Sequence, residues 1–274
     1  MGAWSTSLYG SDDALDLRAS IAAVCRLPHD GDRLVELLAG LHPEAGDPAS
    51  EGHSTFWLVL ADQFHKRGIR SIARARALAI IDDGSDLAMR AGLGVDGAGL
   101  RQRERVLGKL ADELRSPLPE KPRKVLAKPQ PLLFRAGDVL AFRVDGQGNC
   151  CNPYFPDPEA ARFVPAGWDG CVIRACGLAL DHFAWYAVGT TTGPWRDRPA
   201  LERVVDGLDA KEESGVGTIP KRHVARMGLE LLGNVRLPEA APPPREAVMG
   251  ATVADISISN ALARWAKPGT LKFR

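Results

Sequence analysis

Apolar side chains in this chain recur every three to four residues up to Ser116 and every two residues after Val139. Those are the periods of a helix face and of a strand face, so the two halves cannot share one kind of element. Upstream, Ala14, Leu17, Ile21 and Val24 form a stripe, with Ser11 as cap and Asp12, Asp13 and Asp16 set against the helix dipole. Leu34, Leu37, Leu38 and Leu41 predict a second helix capped by Asp30 or Asp32. Trp57, Leu60, Ala61 and Phe64 predict a third, capped by Ser54 or Thr55. Ile69, Ile72, Ala73, Ala77 and Ile80, then Leu100, Leu107, Leu110, Ala111 and Leu114, continue the rhythm. Short loops between such helices predict an antiparallel helical bundle over residues 1–117.

Prolines at 117, 119, 122, 129 and 131, interleaved with Lys121, Arg123, Lys124 and Lys128, predict a semi-rigid basic linker over 118–131. Beyond it, Leu140, Phe142 and Val144 share one face, and residues 171–180 and 183–190 predict paired strands around Asp181-His182. Leu229, Leu231, Val235 and Leu237 predict another strand, with Gly233 at a bulge. Leu201, Val204, Val205 and Leu208 are spaced as a helix within 199–213. The Pro242-Pro243-Pro244 run predicts an excursion before a final element around 256–265. The expected class is α+β: an N-terminal antiparallel helical domain, then a mostly antiparallel β-rich domain over 132–274, built as a small curved sheet or partial barrel.

Charge narrows the function classes. Residues 1–117 hold 14 basic and 17 acidic side chains, residues 118–131 hold four and one, and residues 132–274 hold 17 and 16. Neither half has the basic excess of a sequence-independent nucleic-acid binder, so nucleic acid is not the expected partner. No apolar run is long enough for a membrane span, and the N-terminus lacks the basic flank and apolar core of a secretory leader. Five cysteines, an odd number without an export signal, point to reduced thiols and a cytoplasmic protein.

The reactive residue types do not form a recognisable constellation. Gly92-Leu93-Gly94-Val95-Asp96-Gly97 matches G-x-G-x-x-G, but a helical stretch precedes it where a dinucleotide site needs a strand, so a helix–helix loop is expected. His53, Asp62 and His65 lack a spacing that holds a metal, and Cys150, Cys151, Cys171 and Cys176 contain no CxxC pair. No cysteine has a signature around it that would pair it with His182 or His223 as a nucleophile. No catalytic residue, metal ligand or cofactor is therefore expected. Two clusters have the composition of protein-binding anchors: Trp195, Arg196 and Arg198 among prolines, and Lys221, Arg222 and Arg226 before a predicted strand.

The opening Met1-Gly2-Ala3-Trp4, followed by Ser11-Asp12-Asp13-Ala14-Leu15-Asp16, resembles bacterial domain-of-unknown-function family 4259, whose members begin MGAWG and soon reach a DDALD-like helix start. Ser5 stands where that opening has glycine. In the second half, Gly137-Asp138-Val139-Leu140-Ala141-Phe142 resembles the GDVFA-like first strand of immunity family 26 of bacterial polymorphic-toxin systems. The resemblance implies an intracellular immunity or antitoxin-like protein whose β-rich half blocks a cognate toxin sterically. The alternative is a phage-defence enzyme or accessory protein that binds a nucleotide or nucleic acid.

Overall fold

The computed structural model describes residues 6–208, 215–237 and 242–274. The Met1–Ser5 opening, and residues 209–213 of the segment expected to contain a helix, lie outside the described residues. The chain divides into two compact units, Met1–Ala127 and Lys128–Arg274. That division falls inside the expected 118–131 linker.

The first unit is helical: α1 (Asp12–Val24), α2 (Gly31–Leu41), a 3-10 turn (Pro43–Gly46), α3 (Glu51–Lys66), α4 (Ala73–Asp82), α5 (Ser85–Gly92) and α6 (Gly97–Arg115). Helix starts follow local capping chemistry. Ser11 Oγ accepts the Ala14 N–H, Asp30 Oδ1 the Arg33 N–H at 2.8 Å, and Asp96 Oδ1 the Gly99 N–H at 2.7 Å. Asp32 instead accepts the Ile72 N–H at 2.9 Å, tying α2 to the approach of α4. The third helix starts earlier than its stripe indicates. Ser50, not Ser54 or Thr55, is its cap, and residues 51–53 form a first turn that carries no apolar marker. From Phe56 to Ala61 every side chain of α3 is buried, as expected of a helix surrounded by its neighbours. It packs on α1, α4, α6 and the 3-10 turn. The Gly92–Gly97 stretch connects α5 to α6.

One buried ion cluster sits in this apolar bundle. Asp86 is fully buried and accepts from Arg103 Nε at 2.8 Å and Nη2 at 3.0 Å, and from Arg90 Nε at 3.3 Å. Arg103, itself 1% exposed, spends its remaining nitrogen on the Ser7 carbonyl at 3.0 Å. Nearby, the Tyr9 hydroxyl donates to Asp62, which also pairs with Lys66 at 2.8 Å. The two clusters anchor the segment leading into α1.

Each part of the proline belt is hydrogen-bonded to the unit it belongs to. On the helical unit, the Leu126 N–H donates to the Arg26 carbonyl at 2.7 Å, and Arg123 Nη2 donates to the carbonyls of Leu27 and His29. Gly68, at φ +65°, lets the same strap approach, because a Cβ there would stand 2.4 Å from the Pro119 oxygen. On the second unit, the Gln130 N–H donates to the His182 carbonyl at 2.8 Å and the Leu133 N–H to the Tyr186 hydroxyl at 2.7 Å.

The second unit is built on an open antiparallel sheet of order β4-β3-β2-β1-β5, from β1 (Asp138–Val144), β2 (Gly167–Ala179), β3 (Phe183–Thr190), β4 (Gly215–Gly217) and β5 (Glu230–Asn234). The fold is thus α+β, with a sheet that does not close. The β2–β3 hairpin turns at Leu180 and Asp181, both at positive φ, with the His182 N–H returning to the Ala179 carbonyl. β5 bulges beside Gly233, where Leu232 is the extra residue against Val139 and Leu140. Helices α7 (Leu201–Asp206), α8 (Lys221–Met227), α9 (Arg245–Val253) and α10 (Ile258–Leu262) complete the unit.

Both faces of the sheet are covered. Leu140, Phe142, Cys171, Ile173, Tyr186 and Val188 pack with Met227 of α8 and with Ile258 and Leu262 of α10. On the other face Val139 and Val172 pack with Trp195 and with Val204 of α7. Gly170 makes the α7 contact possible, since a Cβ there would stand 2.8 Å from the Val204 methyls. Burial on both faces is why Val139 to Phe142 reads as a run of apolar residues as much as an alternation.

Candidate functional site

The candidate site is the exposed side of α8 and the two loops against it. α8 is short, with Pro220 at its start and Gly228 closing it in the left-handed conformation at φ +62°. His223 and Met227, one turn apart, face inward at 1% exposure each, while Lys221, Arg222 and Arg226 point to solvent. These cations lie just before a strand, as their place in the sequence suggests, and the segment that carries them is a helix followed by β5.

The loop after Cys151 is seated on this helix. Asn152 Oδ1 accepts the Tyr154 N–H at 3.0 Å and turns the chain, and Arg226 Nη1 donates to the Pro153 carbonyl at 3.2 Å. The Tyr154 ring meets the His223 imidazole edge-on at 5.1 Å, and its hydroxyl donates to the Asp255 carbonyl at 2.6 Å. That second loop is itself held by Thr218, whose Oγ1 donates to Asp255 Oδ1 at 3.0 Å. Tyr154, Phe155 and Ile256 remain 51%, 45% and 37% exposed. Three aromatic or aliphatic faces therefore stand next to three cations, on backbone fixed from behind.

Burial, and after it the charges of Arg222 and Arg226, hold the His223 imidazole below its ordinary pKa. It is neutral at pH 7 and packs as a core ring, with Nε2 at 3.4 Å from Arg222 Nε.

The other expected cluster does not join this site. Trp195 is 3% exposed and its backbone pairs both ways with Trp168, at 2.7 and 2.8 Å. It is a core residue of the α7 face, across the sheet from α8, and not a surface anchor. The Arg196 N–H donates to the Arg274 carbonyl at 3.1 Å, and Arg198 is paired with Glu230 at 2.6 Å. Proline-flanked composition made 194–199 look like a loop; the pairing that buries Trp195 comes from a residue 27 positions earlier.

Tyr154 and Phe155 were not singled out from sequence. The available signal was two aromatics enclosed by Pro153 and Pro156 after an asparagine, a turn that leaves large rings no strand or helix face to occupy.

Reactive groups elsewhere are turned to packing. Burial pushes the Cys25 thiol up to about 11 and the Cys150 thiol up to about 12, and raises Cys171 further still. These stay protonated at neutral pH, the opposite of an activated nucleophile. His53 lies edge-on to Trp57, and Asp62 is committed to Tyr9 and Lys66, so His53, Asp62 and His65 do not converge. Among the described residues, no three His, Cys, Asp or Glu side chains gather as a metal site, and no helix is long and apolar enough to cross a membrane.

Comparison with protein-family models, with curated proteins and with solved structures finds no match to this chain.

Proposed function

We propose that this chain is a protein-binding module, and specifically an immunity-type protein that blocks a cognate toxin by covering it with the α8 face. The observation that carries this reading is the juxtaposition of exposed Tyr154 and Phe155 with Lys221, Arg222 and Arg226 on a helix whose inner residues belong to the core. Aromatic rings and arginines supply most of the affinity at interfaces, and complementary charge accelerates encounter. The fit is to an acidic partner surface, and blockade of this kind needs no cofactor. The resemblance of residues 137–142 to the first strand of an immunity family supports the same reading.

The experiment is affinity capture from the producing bacterium with the full chain and with the Lys221→Glu, Arg222→Glu, Arg226→Glu triple variant. A protein retained by the first and lost by the second is then expressed alone. Growth arrest, relieved by co-expression of the wild-type chain but not of the variant, is the expected result. A partner held equally by both chains, or one harmless when expressed alone, overturns the reading.

A further inference from the structure

The helical unit holds a second site with a different chemistry. A cleft of about 840 Å³ lies between the end of α3, the start of α4 and the proline strap at 117–121. Ala61, Phe64, Ile69, Leu118 and Pro119 give it an apolar lining. Arg70, Arg74 and Lys121 also line it, against the lone carboxylate of Glu120.

Among the described residues no carboxylate pairs with these cations. Among the described residues Arg70 and Lys121 enter no ion pair, and Arg74 spends one nitrogen on a neutral acceptor, the Ser116 carbonyl at 3.3 Å. The strap that brings Lys121 to this place is fixed rather than incidental. Its approach requires Gly68, and its far end is bonded to the α1–α2 corner through Arg123 and Leu126. Ser71, whose Oγ accepts the Ala73 N–H at the first turn of α4, also lines the cleft.

We propose that this cleft binds a phosphorylated small molecule, its phosphate held by Arg70, Arg74 and Lys121 and its apolar body laid against Ile69, Leu118 and Pro119. Unpaired guanidinium groups match phosphate oxygens in charge and in bidentate geometry. The cleft volume lies within the range of small-molecule sites and exceeds what a bare anion fills. This site is separate from the α8 face and does not depend on the immunity reading.

The test is calorimetric titration of the full chain with adenosine monophosphate, glucose 6-phosphate and inorganic phosphate, alongside adenosine and glucose. At least one of the two organic phosphates is expected to saturate, at least about tenfold more tightly than inorganic phosphate and than its own unphosphorylated parent. Arg70→Gln with Lys121→Gln, both exposed positions, should weaken that binding at least about tenfold while leaving the thermal midpoint in place. The α8 triple variant should bind the ligand as wild type does, which separates the fate of this proposal from that of the immunity reading. Three results overturn the proposal: neither organic phosphate saturates at millimolar concentration, inorganic phosphate alone binds, or the Arg70/Lys121 variant binds unchanged.

Discussion

Replacing Asp86 with alanine should be among the most damaging single changes in the helical unit. Its carboxylate is fully buried and faces two guanidinium groups, Arg103 through two hydrogen bonds and Arg90 through a longer one. Removing one member of a buried charge cluster leaves the others without a counter-ion and without water, a cost of about 3–5 kcal/mol. The loss also frees Arg103, so its bond to the Ser7 carbonyl no longer has a fixed donor. For a unit of this size, that energy lowers the melting temperature by about 10–20 °C. The assay is thermal unfolding followed by the helical circular-dichroism signal, with Asp86→Ala, Arg103→Met and the triple Asp86→Leu, Arg90→Met, Arg103→Met compared under one buffer. The triple variant should recover much of the loss, because apolar side chains of similar volume avoid the desolvation cost altogether. An Asp86→Ala midpoint within about 3 °C of wild type, which corresponds to under about 1 kcal/mol, would refute the argument that the cluster is sealed from solvent.

Two further outcomes follow from burial. His223 has a folded pKa below its ordinary 6.5, with burial first and then Arg222 and Arg226 as causes. The unfolded chain therefore binds more protons on the acid side, and the stability this group contributes is present above pH 6.5 and lost as pH falls below it. Melting temperature measured from about pH 7 to pH 5 should fall less steeply in His223→Gln than in wild type; parallel slopes would show that the imidazole is not held neutral by its surroundings. Alkylation with iodoacetamide at neutral pH, read by mass spectrometry, should modify half-exposed Cys176 first and Cys25, Cys150 and Cys171 only after denaturant is added. Moving the Cys25 thiol from 9.0 to about 11 removes about 100-fold of its thiolate, so labelling of Cys150 or Cys171 as fast as Cys176 would contradict their burial.

What could be read from the sequence was what neighbouring residues decide. Ala14, Leu17, Ile21 and Val24 are all buried as their spacing requires, and Ser11, Asp30 and Asp96 cap because a short polar side chain can reach its own helix's first N–H groups. Arg103 was legible by the same logic. It lies three residues after Leu100 and four before Leu107, inside the apolar stripe of α6, and a charge at such a position already signals a buried counter-charge. Asp86 and Arg90, one turn apart, were the available partners. What stayed hidden was decided at long range. Trp195 is buried by backbone pairing with Trp168, and Leu126 is tied to Arg26; neither contact has a side-chain code. α8 was legible in principle, since proline at its start and glycine just past its end punctuate a helix. Its seven residues are too few for a period to show above the charges they carry.

The covering of both sheet faces has a consequence for where binding chemistry can sit in the second unit. With Val139, Leu140, Ala141 and Phe142 all buried, β1 offers no free face to a partner, and the proposed recognition falls to helices and loops around the sheet. Such segments are ordinarily mobile and lose entropy when they bind. Here the loss is limited. His223 and Met227 pin α8 to the core, the Tyr154 hydroxyl and Arg226 lock the 152–156 loop, and Thr218 holds the 255–256 turn by backbone and side-chain bonds. The rings of Tyr154 and Phe155 then have few torsions left to order, and chiefly the outer atoms of Lys221 and Arg222 remain to be immobilised by a partner. A face built this way favours slow dissociation through its rigid aromatic centre, while its flexible cations govern the salt dependence of association. Raising the salt concentration should therefore reduce the on-rate of the captured partner while leaving the off-rate nearly unchanged, and Tyr154→Ala should do the reverse.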